Sequence, residues 1–66
     1  MPRFGDLKRR LERDGWVLVR KTDHYYYEKL EADGTLRRTK CSFSLSKEIP
    51  PTVLPLILKQ TGWNKI

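Results

Sequence analysis

The chain carries one histidine, His24, whose ordinary pKa of about 6.5 lets an imidazole act as acid or base near neutrality. A single imidazole can take the 2′-hydroxyl proton of RNA or protonate the leaving oxygen while lysine or arginine offsets charge on the phosphate. No cofactor is required for that chemistry. The bland alternative is an ordinary strand residue beside Tyr25, Tyr26 and Tyr27. In a strand, Tyr25 and Tyr27 face opposite to Tyr26 and His24, so one set fills the core. Tyr26, if exposed, can stack on an unpaired base or donate its hydroxyl to a phosphate. Arg20, Lys21, Arg37, Arg38 and Lys40 are the candidate phosphate contacts, against the alternative of solvated surface charges. Cys41 falls on an apolar alternation and reads as a buried structural thiol, because a nucleophilic cysteine needs exposure and an activating base. Ser42, Ser44 and Ser46 lack the Gly-x-Ser-x-Gly context of a nucleophile elbow. Neither a phosphate-cradling glycine loop nor a supported carboxylate pair is present, which excludes nucleotide hydrolysis and glycosidase chemistry.

These groups must be positioned by 66 residues. At that size only about 60% of the unfolded surface can be buried, so the expectation is one domain over residues 1–66 with its chemistry on an open surface. Fourteen Lys and Arg against eight Asp and Glu give a net charge of +6, which favours a polyanionic partner. The cations recur in separate segments, Lys8 to Arg13, Arg20-Lys21 and Arg37 to Lys40, so they belong to folded elements rather than a tail. With one Cys and one His, an internal disulfide is excluded and the sequence predicts no metal. No apolar run is long enough for a signal peptide or a membrane span, and the expected compartment is the cytoplasm.

Phe4, Leu7 and Leu11 form one apolar stripe of a helix from about Phe4 to Asp14, closed by Gly15 and Trp16. Trp16–Lys21 and His24–Leu30 are rich in β-branched and aromatic residues and read as strands, separated by Thr22-Asp23. Asp33-Gly34 signals a hairpin returning as a third strand from about Leu36 to Leu45, whose alternation gives one packed and one wet, partly basic face. Ile49-Pro50-Pro51 forces extended backbone, Thr52 is the expected N-cap of a second helix, Pro55 falls in its first turn, and Gly62 ends it. The predicted architecture is α+β, in the order α-β-β-β-α, with both helices on one face of a three-stranded antiparallel sheet. That layout is similar to the double-stranded-RNA-binding fold, a likeness that assigns no function by itself.

Leu7-x3-Leu11-x-x-Asp14-Gly15-Trp16, Leu18-Val19-Arg20, His24 opening a strand, Asp33-Gly34, Lys47-Glu48-Ile49-Pro50-x-Thr52 and Ile57-Leu58-Lys59-Gln60-x-Gly62 together resemble the HicA family of toxins over nearly the whole chain. The resemblance implies a metal-independent endoribonuclease that cleaves mRNA, an mRNA interferase with a single catalytic histidine at the position of His24. It also implies a HicB-type antitoxin protein as partner. Two segments depart from the family pattern. Gly-Ser-His at the first hairpin is replaced by Thr22-Asp23-His24, and a Val-Pro-Val-His type segment by Phe43-Ser44-Leu45-Ser46. Asp23 either orients the imidazole or repels a phosphate. Two other functions compete: a non-catalytic RNA-binding module, and a decayed toxin acting as a protein-interaction domain through an open sheet edge. Against the module, the last helix starts Thr52-Val53-Leu54-Pro55, without the lysines that such modules present there.

Overall fold

The computed structural model describes residues 1–66 and has the predicted order: α1 (Phe4–Arg13), β1 (Val17–Lys21), β2 (Tyr25–Leu30), β3 (Leu36–Cys41) and α2 (Leu54–Thr61). The strands form one antiparallel sheet in the order β1-β2-β3. Tyr27, Thr39 and Cys41 turn inward. The Tyr27 hydroxyl donates to Glu12 of α1, and the Thr39 hydroxyl donates to Gln60 of α2 at 2.9 Å. Both helices therefore cover the same face, and the face carrying Tyr26, Arg38 and Lys40 stays open.

The apolar stripe of α1 is buried as its spacing requires: Phe4, Leu7 and Leu11 join Trp16, Tyr27, Cys41, Ile49 and Ile57 in one core. Gly15 adopts φ 85°, which lets the chain reverse so that the Trp16 amide donates to the Leu11 carbonyl at 3.0 Å. Gly62 ends α2 in the same way at φ 80°.

Four boundaries differ from the sequence reading, the first being that β1 starts at Val17, because the Trp16 amide is taken up in closing α1. The third strand stops at Cys41 rather than Leu45, because β2 begins at Tyr25, the partner of Cys41, and offers nothing beyond it to pair with. The segment after Cys41 turns instead: the Ser44 amide donates to the Ser42 hydroxyl, and the Leu45 and Lys47 carbonyls accept from the amides of Gly5 and Phe4. Those two amides are orphan donors of the first turn of α1, so the segment closes the helix rather than extending the sheet. Thr52 is not the N-cap of α2. Val53 occupies that position, and the Pro50 carbonyl accepts from both Val53 and Leu54 amides, removing the need for a hydroxyl cap. His24 lies one residue ahead of β2, which makes the first hairpin loop three residues long, Thr22 to His24.

β1 also departs from the usual meaning of an apolar strand. Every one of its residues is exposed, with Val17, Leu18 and Val19 among them, because both helices make their main contacts with the sheet at β3, the opposite edge. A bulge between Leu18 and Arg20 interrupts its pairing with β2.

Candidate functional site

The first hairpin loop presents His24 at the rim of the sheet. The short β1–β2 connection, closed by the Thr22 amide on the His24 carbonyl at 3.2 Å, holds the residue just ahead of Tyr25, whose cross-strand partner is Cys41. Its imidazole stands edge-on to Tyr26, centroids 6.2 Å apart. It lines a cleft of about 280 Å3 whose other walls include Lys40, Ser42, Val53, Leu56, Ile57 and Gln60. The cleft thus runs between the end of β3 and α2, with a cation and two neutral polar side chains in a mostly apolar setting.

The two nitrogens of His24 differ. Nδ1 is shut off from solvent and has no hydrogen bond within ideal geometry, but Asp23 Oδ2 lies 3.3 Å away. The side chain as a whole keeps 34% of its surface exposed. Asp23 is itself held. Its other oxygen, Oδ1, accepts the Tyr26 hydroxyl at 2.7 Å and the Thr22 hydroxyl at 2.9 Å. Those two bonds hold the carboxyl far below the usual carboxylate range, the tyrosine hydroxyl contributing most. Asp23 is an anion under all ordinary conditions.

Around this pair, the Arg20 guanidinium lies over the Tyr26 ring at 4.0 Å, and Lys21 lies over Tyr25 at 5.6 Å. Arg20, Lys21 and Lys40 have no carboxylate partner; among the ion pairs of the molecule none includes them. The basic residues of α1 are different. Lys8 pairs with Glu12, Arg9 with Asp6, and Arg10 and Arg13 with Asp14. The cations within α1 are thereby compensated, whereas Arg20, Lys21 and Lys40 are not, a condition they share with Arg3, Lys29, Lys47, Lys59 and Lys65 elsewhere on the surface.

Residues 4–63 match the family model of the HicA toxin of bacterial toxin-antitoxin systems. The chain belongs to the HicA toxin family. Neither the curated proteins nor the solved structures include a match to it. HicA proteins are the toxins of toxin-antitoxin pairs, and the family is one of ribonuclease-type toxins.

Of the residues selected from sequence, the HicA fold brings together His24, Tyr26, Arg20 and Lys40, whereas Lys21 lies over Tyr25 on the helix-covered side, where Lys8 meets the same ring. Arg38 shares the open face but is paired with Glu28 at 3.1 Å, directly across the hairpin. Arg37 is apart from the group: it pairs with Glu31 at 3.3 Å, and its guanidinium lies against Gly62 at the far end of α2. Cys41 is fully buried, and burial pushes its thiol up to about 11, which suits a packing role. Gln60 and Ser42 were not selected as site residues from the sequence, since only tertiary packing of α2 on the sheet brings them to the cleft. No group of three or more His, Cys, Asp or Glu side chains converges to hold a metal ion. No helix is long and apolar enough to cross a membrane.

Proposed function

We propose that this HicA protein is an mRNA-cleaving endoribonuclease that works without a metal, with His24 as its catalytic residue. The observation that carries the reading is the setting of His24: an imidazole with one nitrogen closed off beside a carboxylate, at a cleft that also holds Lys40, next to cations that no carboxylate neutralises. The neutral imidazole accepts the 2′-hydroxyl proton at Nε2. The 2′-oxygen attacks phosphorus, the bond from phosphorus to the 5′-oxygen breaks, and that oxygen leaves with a proton from water. The products are a 2′,3′-cyclic phosphate and a 5′-hydroxyl. Lys40 and Arg20 offset the charge that builds on the non-bridging oxygens. The nucleophile comes from the RNA itself, so no metal-activated water is needed.

In this reading Arg20, Lys21 and Lys40 hold the backbone, Arg38 joins them only by giving up Glu28, and Arg37 contributes little. Tyr26 acts through its ring and through Asp23, since its hydroxyl is already engaged. A HicB-type antitoxin neutralises the toxin by covering this end of the sheet, and the pair works in the cytoplasm, where mRNA is translated. Expression of the wild type in bacterial cells is expected to arrest growth and fragment mRNA, and co-expression of a HicB-type protein to relieve both. His24→Ala, with its fold confirmed by circular dichroism, is expected to do neither; growth arrest of equal strength by that variant removes His24 from the mechanism.

A further inference from the structure

The residue that departs from the family pattern next to the catalytic position is the one most firmly held. Asp23 replaces the small residue of Gly-Ser-His, and its side chain is fixed from two directions by the Tyr26 and Thr22 hydroxyls on Oδ1. That leaves Oδ2 as the one free acceptor, 3.3 Å from His24 Nδ1. Nδ1 in turn has no access to water and no other partner. A buried ring nitrogen without a partner costs free energy that a small rotation of either side chain recovers by forming the bond.

We infer that Asp23 is a positioning residue that keeps the proton of neutral His24 on Nδ1, and so leaves the lone pair on Nε2 for the cleft. The reasoning is one of donor and acceptor inventory. A carboxylate only accepts, so the nitrogen facing it must carry the hydrogen. The imidazole then has its basic nitrogen on the other side of the ring. The same arrangement works against phosphate repulsion: Oδ1 accepts from two donors, Oδ2 faces the ring, and Arg20, stacked on Tyr26, brings a positive charge to the same group. Thr22 and Tyr26 are parts of this device, and Tyr26 links it to Arg20. The groups that face His24 are Asp23 and Tyr26 from its own hairpin, Lys40 and Ser42 from the β3 end, and Gln60 from α2.

The inference rests on the proposed role of His24, but its test does not depend on activity. Because the chain has a single histidine, long-range proton–nitrogen correlation spectra of uniformly 15N-labelled protein, recorded at a pH where the ring is neutral, report its tautomer without ambiguity. The wild type is expected to show the proton on Nδ1. Asp23→Ala is expected to move it to Nε2 or to a mixture, and the pair Thr22→Val with Tyr26→Phe, which keeps the carboxylate but frees it, to give an intermediate mixture. Amide spectra of each variant establish that the fold is kept. In parallel, RNA cleavage by Asp23→Ala is expected to fall at least tenfold in kcat with little change in KM, since the base is misaligned but the phosphate contacts remain. A wild-type ring protonated on Nε2, or an Asp23→Ala ring still protonated on Nδ1, overturns the inference. If the wild type fails to cleave RNA while its ring carries the Nδ1 proton, the ribonuclease reading fails and the tautomer assignment stands.

Discussion

Of the cations that no carboxylate pairs, Arg20, Lys21 and Lys40 are the ones proposed to hold the RNA, and they set the salt dependence expected of its binding. Arg20, Lys21 and Lys40 face no carboxylate, whereas Arg37 and Arg38 are held by Glu31 and Glu28. Each unpaired cation that neutralises one phosphate of a single strand contributes about −0.7 to the slope of log K against log salt, so three of them give a slope of about −2. Between about 50 and 200 mM salt, affinity should then fall by about 20-fold, and by about 7-fold once Lys40 is replaced by alanine. Fluorescence anisotropy of a labelled single-stranded RNA measures this directly, with His24→Ala as the background so that the probe survives. Lys40→Ala and Arg20→Ala should each reduce the slope by about 0.7, and Arg37→Ala should leave it unchanged. A slope that is insensitive to Lys40, or one that Arg37→Ala reduces equally, refutes the assignment of the binding charge to the His24 end of the sheet.

Alkaline stability should be limited by two buried acids. Tyr27 is pushed up to about 12, chiefly by burial and then by its bond to Glu12, and Cys41 to about 11. Both are neutral in the folded chain and release protons more readily once unfolded, so stability is full below the unfolded pKa values and declines as pH rises through the folded ones, each group accounting for on the order of 3 kcal/mol. Urea midpoints from about pH 9 to 12 should fall steadily, and Tyr27→Phe should flatten that fall while lowering stability at neutral pH through the lost bond to Glu12; a flat profile for the wild type counts against both assignments. Leu11→Ala removes a fully buried side chain and should cost about 2–5 kcal/mol, lowering Tm by about 10 °C or more in a thermal melt; a shift of a degree or two contradicts its place in the core. Gly62→Ala should destabilise by about 1–2 kcal/mol, because φ is 80° and the new Cβ would stand 3.2 Å from the Arg37 guanidinium; an unchanged melt means that α2 ends differently.

The fold was legible where local chemistry decides it. Gly15, Gly62 and Asp33-Gly34 mark reversals that the backbone makes for steric reasons, and the period of two in β3 states which face is buried. What was not legible depends on partners distant in sequence. β3 ends where β2 runs out, not where its own alternation stops, and the Leu45 and Lys47 carbonyls serve α1 instead. Thr52 has the right type for a cap, but a proline carbonyl two residues earlier does its work. The apolar composition of β1 identified it as a strand but not as one whose residues are all exposed.

At the site, chemistry alone left His24 open between a catalytic and an ordinary strand residue and the family resemblance selected it, whereas its neighbours required the loop geometry. Asp23 had two opposite readings in sequence, and the bonds from Tyr26 and Thr22 that support the first of them could be seen only in the folded loop. The ion pairs of Arg37 and Arg38 were within reach of a hairpin register: Glu28 and Arg38 are direct cross-strand partners, a relation that Leu30 and Leu36 at the hairpin mouth already imply. The cleft itself was not, because it exists only once α2 lies on the sheet.

The central claim is that His24 cleaves RNA without a metal. It is tested most directly by incubating purified wild type and His24→Ala with a long single-stranded RNA in the presence of EDTA and resolving the products on a gel, both proteins having matching circular dichroism spectra. Fragments ending in 2′,3′-cyclic phosphate are expected from the wild type and intact RNA from the variant. Cleavage by both, or by neither while the RNA is bound, contradicts it.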